Sequence, residues 1–255
     1  LNRHHTLLFD LDDTLLDFGR AEQTALRKAL SHFGIEATPE LFQRYSKINR
    51  AHWEMLERNE LSKNEVLSYR HERFFESLGK EVDGTTIDQF YRKAVAEHGH
   101  HLFDGALEVV EELSRTCRLF IITNGVKETQ QKRLHRSGLR PYFSEVFISE
   151  DVGYQKPMKA FFDHVGASIP DFESSRALII GDSLTSDIKG GHNSNIDTCW
   201  YNPLGKSNPF SFSPHYEIKQ LNEIHQNLIR PVVLQRAEDY EIGRASCRER
   251  VSTSV

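Results

Sequence analysis

Five short runs stand out along the chain because nearly every position in them is apolar: TLLFDL at 6–11, RLFIIT at 118–123, EVFIS at 145–149, ALIIGD at 177–182 and TCWYN at 198–202. Alternating apolar and polar positions would fit a sheet with one wet face, whereas near-continuous runs fit strands covered on both faces. Between the runs lie helical patterns, for example residues 104–115 and 127–137, and Gly138 stands where the second of these helices would close. Strand and helix in alternation predict an α/β fold, an open, Rossmann-like parallel sheet with right-handed crossovers.

Residues 17–100 interrupt that rhythm. Leu26, Ala29, Leu30 and Phe33 share one helical face, and Gly34 can end the helix they belong to. Ser62-Lys63-Asn64-Glu65 has capping-box spacing, with Gly79 after the helix it would start. Further helical sequence fills 39–58 and 86–98. The expected organisation is an α/β core from residues 1–16 and 101–235, with an all-helical cap of about four helices inserted at 17–100. The segment EIGRASCRERVSTSV at 241–255 lacks an apolar period and reads as a cloning-derived or disordered tail; Leu1 in place of Met points to a trimmed start.

Composition narrows the function classes. The chain has 255 residues, 38% hydrophobic and 27% charged, with a net charge of −5, which gives no broad basic surface for a nucleic-acid polymer or an anionic membrane. No apolar run approaches a membrane-spanning length. Cys117, Cys199 and Cys247 are far apart and odd in number, which argues against a disulfide framework and for a reducing, cytoplasmic setting.

The chemistry sits where the apolar runs stop. The first ends at Asp10, followed by Asp12 and Asp13; the second at Thr123-Asn124-Gly125; the fourth at Gly181-Asp182. In open parallel sheets the ligand crevice lies beyond the carboxyl ends of the strands, so these residues are expected to converge. Lys156, before a proline that can open the next helix, and Asp187, in the first turn after the fourth strand, join the same rim. Carboxylates crowded together call for a cation, and Mg²⁺ takes hard oxygen ligands including substrate phosphate. A carboxylate can also attack phosphorus to form an aspartyl phosphate.

DLDDT at 10–14, IITNG at 121–125, QKP at 155–157 and GDSLTSD at 181–187 resemble, in order and context, the four motifs of the haloacid dehalogenase superfamily of phosphatases. LLFDLDDTLLDF, YSKINRAHW, SEDVGYQKPMKAFF and LIIGDSLTSDIKGG bring the resemblance closest to its pyrimidine 5'-nucleotidase branch. The resemblance implies Asp10 as nucleophile and Asp12 as the acid that protonates the leaving alkoxide and then activates water. It implies Thr123 and Asn124 as the phosphate-binding pair and Lys156 as charge balance. Asp10, the Asp12 carbonyl and Asp182 would be the magnesium ligands, with Asp187 an outer carboxylate. The expected substrates are pyrimidine nucleoside 5'-monophosphates such as UMP, dUMP and dTMP, handled by an enzyme expected to be a monomer.

Asp12 separates the enzymatic alternatives, because displacement of halide needs no acid for an alkoxide. A sugar-phosphate phosphatase or a phosphomutase would share the core motifs. A phosphonate hydrolase would need a Schiff-base lysine from the insert, where Lys28, Lys47 and Lys63 are available. A receiver-like or catalytically silent phosphate-binding protein is the non-enzyme alternative, and the Asp10/Asp12 pair weighs against it. On the insert, Phe18, Asn49 and Trp53 are candidate substrate contacts, with Tyr45 and His52 on the same helix as the last two. Asp13 reads as a loop residue turned away, Thr14 as a turn cap, and Asp151 equally as a fifth carboxylate on the rim or as a solvated loop position. His98, His100 and His101 read as a linker, lacking a matching ligand context.

Overall fold

The computed structural model describes residues 4–224. The expected residues 225–235 of the core and the tail at 241–255 lie outside the described residues. Six parallel strands form one sheet in the order β3-β2-β1-β4-β5-β6. These are β1 (Thr6–Phe9), β2 (Arg118–Thr123), β3 (Glu145–Ile148), β4 (Ala177–Gly181), β5 (Asp197–Tyr201) and β6 (Tyr216–Ile218). The sixth, YEI, carries too few apolar positions to stand out in the sequence, and it forms by pairing Cys199–Tyr201 with Tyr216–Ile218.

Both faces of the sheet are covered. Leu7, Phe9, Ile121, Leu178 and Ile180 pack on one side with α5 (Ala106–Ser114), through Ala106, Val109, Val110 and Leu113. Leu8, Phe120, Ile122 and Ile179 point the other way, onto Phe161, Phe162 and Val165 of α8 (Lys159–Ser168). Successive side chains of a strand face opposite sides, so a strand buried on both must be apolar at every position. The helix α8 begins at Lys159, after Met158; Pro157 lies ahead of it in a cis peptide with Lys156 and does not open it, contrary to the sequence expectation.

Between β1 and β2 run α1 (Phe18–His32), α2 (Pro39–Glu57), α3 (Lys63–Glu76) and α4 (Gly84–His98). They enclose an apolar cluster of their own, including Ala25, Leu26, Ala29 and Leu30 of α1, Tyr45, Phe74, Phe75 and Tyr91. The Ser62/Glu65 capping box is formed, with Ser62 N donating to Glu65 Oε2 at 2.8 Å. The chain leaves the sheet and returns to it side by side. Asp17 N donates to His101 O at 2.9 Å, Phe103 N to Leu15 O at 3.0 Å, and Leu16 bridges Leu102 antiparallel.

The remaining helices are α6 (Lys127–Arg136), α7 (Ser149–Val152) and α9 (Lys189–Ser194), the last preceded by a π-helical turn, Leu184–Ile188. No helix among the described residues is long and apolar enough to cross a membrane.

Candidate active site

The parallel register sets Phe9 of β1 opposite both Ile121 of β2 and Ile180 of β4. Asp10 therefore emerges from the middle of the sheet, flanked by the ends of its two neighbours, and its amide donates to Ile180 O at 2.9 Å. Lys156 is 1% exposed. Its ammonium donates to Asp10 Oδ1 at 2.6 Å, Asp187 Oδ1 at 2.7 Å and Ile122 O at 3.0 Å, which uses all three of its protons. Asp187, wholly buried in the π-helical turn, also accepts from Ser183 N at 3.2 Å. It can come this close only because residue 181 is glycine: a Cβ there would sit 2.2 Å from Asp187 Oδ2.

Thr14 ties the other side together. Its hydroxyl donates to Asp10 Oδ2 at 3.3 Å and accepts the Asp182 amide at 3.1 Å, so it bridges the loops after β1 and β4 and does not cap its own turn. The Trp200 indole donates to Asp182 O at 2.8 Å from the neighbouring strand. Asp13 does turn away, as its sequence position suggests, and has work of its own: with φ +57° it accepts the Phe18 and Gly19 amides at the start of α1.

Oxygens of Asp10, Asp182 and Asp187 lie within 4.8 Å of one another, a group among the described residues that could hold a metal ion. Burial raises the Asp10 carboxyl to about 7; Lys156 pulls against this and the Asp187 and Asp12 charges add to it. Burial also lifts Asp182 well above the carboxylate range, reinforced by Asp10, Asp13 and Asp187. Burial alone would pull Lys156 down, but the Asp10 and Asp187 carboxylates hold it above the lysine range. Carboxylates buried and crowded in this way could hold a divalent cation. Both oxygens of Asp187 are engaged, by Lys156 and Ser183, and so are both of Asp10, by Lys156 and Thr14.

Asp12 faces α6. Arg133 Nη1 donates to its Oδ1, and Gln130 Nε2 to its Oδ2 at 2.6 Å. Gln130 Nε2 also donates to Thr123 Oγ at 2.9 Å, and the Gly125 amide to the same oxygen at 3.0 Å. Two donors on that oxygen leave the Thr123 hydroxyl proton to be given elsewhere. A Cβ at Gly125 would lie 2.3 Å from Gln130 Nε2, so this glycine admits the Gln130 amide. Asn124, expected to bind phosphate, is occupied otherwise: its Nδ2 donates to Lys156 O and its Oδ1 accepts from Lys156 N, each at 2.9 Å. It clamps the segment that delivers Lys156.

These groups open into a cleft of about 460 Å³, within the range of small-molecule sites. The four helices of the insert wall its far side with Phe18, Asn49, Trp53, Glu57, Arg70 and Tyr91. Asn49 is a partial correction. Its Nδ2 donates to Glu22 Oε1 at 2.7 Å and its Oδ1 accepts from Arg70 Nη1 at 2.8 Å, so both ends of the amide are spent within the insert. Phe18 carries the Arg133 guanidinium 5.6 Å from its ring centre, and Trp53 that of Arg70 at 5.9 Å. The histidine segment gathers no metal cluster among the described residues; His100 stacks on His101, and His98 meets Lys28. Asp151 pairs with Lys127 on the surface, and Lys63, which does not itself line the cleft, donates to Ser149 Oγ and Gly125 O.

The model of the haloacid dehalogenase-like hydrolases matches residues 7–201. The chain belongs to that family. As a haloacid dehalogenase-like hydrolase it is 44% identical over 228 residues to the HAD-hydrolase YfnB of Bacillus subtilis, covering 89% of this chain and 97% of that protein. A pyrimidine 5'-nucleotidase of Streptococcus pneumoniae, PynA, is 41% identical over 219 residues, 86% of this chain and 92% of the relative. YjjG, a pyrimidine 5'-nucleotidase of Escherichia coli, is 32% identical over 224 residues, 88% and 97%. The crystal structure of YfnB bound to magnesium, described as revealing interdomain movement, superposes on this hydrolase with a TM-score of 0.84 at 45% identity, covering 89% of this chain and 99% of that one.

Proposed function

We propose that this hydrolase cleaves phosphate monoesters through a covalent intermediate on Asp10, and that its substrates are pyrimidine nucleoside 5'-monophosphates. One observation carries the reading: a buried carboxylate, Asp10, is held by Lys156 and Thr14 at the head of β1, with a second carboxylate two residues on at the cleft. One group can attack phosphorus while the other handles the proton. The substrate class rests on PynA and YjjG, whose identities span most of the chain.

Asp10 attacks phosphorus, the bond to the ester oxygen breaks, and Asp12 gives the departing alkoxide its proton. Asp12, now ionised, takes a proton from the water that cleaves the aspartyl phosphate, which releases phosphate and restores Asp10. Thr123 offers its hydroxyl proton to a phosphoryl oxygen, and Lys156 keeps positive charge beside the reacting carboxylate. Asp10, the carbonyl of Asp12 and Asp182 would hold Mg²⁺, which supplies positive charge to the phosphoryl oxygens when bound. The residues present fit that ion: hard oxygens crowded together and raised in pKa by burial and then by one another's charges.

Phosphate release from nucleoside monophosphates, sugar phosphates and haloacids, with Mg²⁺ or with chelator, tests both halves. Release concentrated on UMP, dUMP and dTMP and abolished by chelator is the expected result. Release spread over sugar phosphates would discard the nucleotide preference and keep the chemistry. Asp10→Asn should lower turnover by at least about 10⁴-fold with an unchanged circular dichroism spectrum, the scale on which loss of a covalent catalyst is felt. Turnover near wild type would remove Asp10 as nucleophile.

A further inference from the structure

Arg133 is 1% exposed on α6, and it is the centre of a set of contacts the chemistry above does not require. Its Nη1 donates to Asp12 Oδ1 and, at 2.8 Å, to Gln130 Oε1. Its Nε donates to Gly99 O at 2.6 Å, at the point where α4 ends and the chain returns to the sheet. Its guanidinium lies over Phe18, the first residue of α1, where the chain has just left the sheet. The remaining amino group, Nη2, is buried with no hydrogen-bond partner among the described residues. One side chain thus touches both crossings between sheet and insert, and Asp12 as well.

A buried guanidinium with an unused amino group is costly unless something holds it there. Arg133 meets Asp12 through Nη1 alone, and the same nitrogen holds the Gln130 side chain whose amide takes the other oxygen. Arg133 and Gln130 together grip both oxygens of Asp12, so its plane is set from α6 and not by its own loop. When a proton leaves Asp12, the carboxylate that remains is already paired. The grip is also braced from the insert, since the Gly99 carbonyl and the Phe18 ring are its other supports.

We propose that Arg133 is a positioning residue that aims Asp12 at the leaving oxygen and ties that aim to the placement of the helical insert. The proposal rests on the phosphomonoesterase reading, in which Asp12 protonates the departing alkoxide. It concerns only that proton: the bond from phosphorus to the ester oxygen breaks, the bond to Asp10 forms, and the proton passes from Asp12 to the departing oxygen.

Two esters that differ in their need for a proton decide the matter. A nucleoside 5'-monophosphate expels an alkoxide and needs the acid, whereas p-nitrophenyl phosphate expels a stable phenolate and does not. The ratio kcat/KM reports steps up to loss of the alcohol, so the later role of Asp12 with water does not enter. Wild-type turnover of both esters tests the underlying reading; its absence on both overturns that reading and this proposal together. Given turnover, Arg133→Met should lower kcat/KM on UMP by about 100-fold, the low end of what general acid catalysis supplies, and on p-nitrophenyl phosphate by less than about fivefold. Arg133→Lys, which keeps the buried charge and one donor, should recover part of the loss on UMP. Should Arg133→Met not fold, Arg133→Lys makes the same comparison, with an expected loss of about tenfold on UMP alone. Equal losses on the two esters, or none on either, would reduce Arg133 to a structural residue and overturn the proposal.

Discussion

Thr14 shows how much one hydroxyl can hold. It is fully buried, gives its proton to Asp10 and accepts the amide of Asp182, so two loops that are 168 residues apart in sequence meet on a single oxygen. Thr14→Val keeps the shape and removes both bonds. The Asp182 amide would then lack its acceptor, an omission that costs about 1–3 kcal/mol. The variant should melt several degrees lower and need more Mg²⁺ for half-maximal activity, since Asp182 would no longer be registered against Asp10. A melting curve and a metal titration superposable on wild type would exclude the bridge. Asp10 and Asp182 were legible because each sits where an apolar run stops, and Asp187 because it lies in the first turn after one. Thr14 was visible only as a turn residue, since nothing in DLDDT says that the amide it accepts comes from beyond residue 180. Gln130 and Arg133 were missed for a different reason. The stretch KETQQKRLHR reads as a solvated helix, and burial of its Gln130 and Arg133 follows from the insert packing over them. The available signal was their spacing of three, directly after Thr123-Asn124-Gly125.

At the scale of elements, the insert is held by polar chemistry as well as by its apolar cluster. Between α3 and α4, His71 Nε2 lies 3.4 Å from Asp88 Oδ1, Tyr45 Oη lies 3.3 Å from His71 Nδ1, and Arg70 Nη2 donates to Asp88 Oδ1 at 2.5 Å. With its proton on Nε2, neutral His71 satisfies both neighbours, donating to Asp88 and accepting from Tyr45. Burial, then the Arg70 charge, lower His71 to about 4. Its folded value is below its unfolded one, so the unfolded chain takes up a proton first as pH falls. The stabilisation is complete above about 6.5 and is lost between there and about 4, a span worth of order 3 kcal/mol. Urea unfolding of wild type and His71→Gln should therefore show a stability difference that shrinks from pH 7 to pH 4; a constant difference would mean His71 stays neutral in neither state more than the other. Helix ends in this insert followed from the sequence, through Ser62/Glu65, Gly34 and Gly79, because caps are local. The His71–Asp88–Arg70 group did not, because it joins two helices through polar side chains that periodicity alone assigns to the surface.

Across the whole molecule the insert is pinned to the sheet at a few polar points. Lys63, in the first turn of α3, donates to Ser149 Oγ at 2.8 Å and to Gly125 O at 3.4 Å, and pairs with Glu150. Gln155 donates to Leu56 O at 3.1 Å and to Asn59 Oδ1 at 2.8 Å. These contacts are few and partly wet, and bonds of that kind contribute little each, on the order of 1 kcal/mol. Lys63→Met should release one of them and raise the radius of gyration measured by small-angle scattering without substrate; an unchanged radius would place the restraint elsewhere. The architecture itself was readable from five apolar runs and the helices between them. The sixth strand was not, because Tyr216–Ile218 gains its strand character only from the β5 edge that it pairs with.

The paired crossings at Asp17–His101 and Leu15–Phe103 carry a consequence of their own. Both ends of the insert stand a hydrogen bond apart at a single doorway, so whatever is threaded between them does not alter the path of the sheet. Another helical assembly grafted between positions 17 and 101 would meet the same sheet, but it would also remove Phe18 and Gly99 and would have to bring its own supports for Arg133. In such a molecule a new wall above the cleft comes with a condition: the graft must carry the brace as well as the surface.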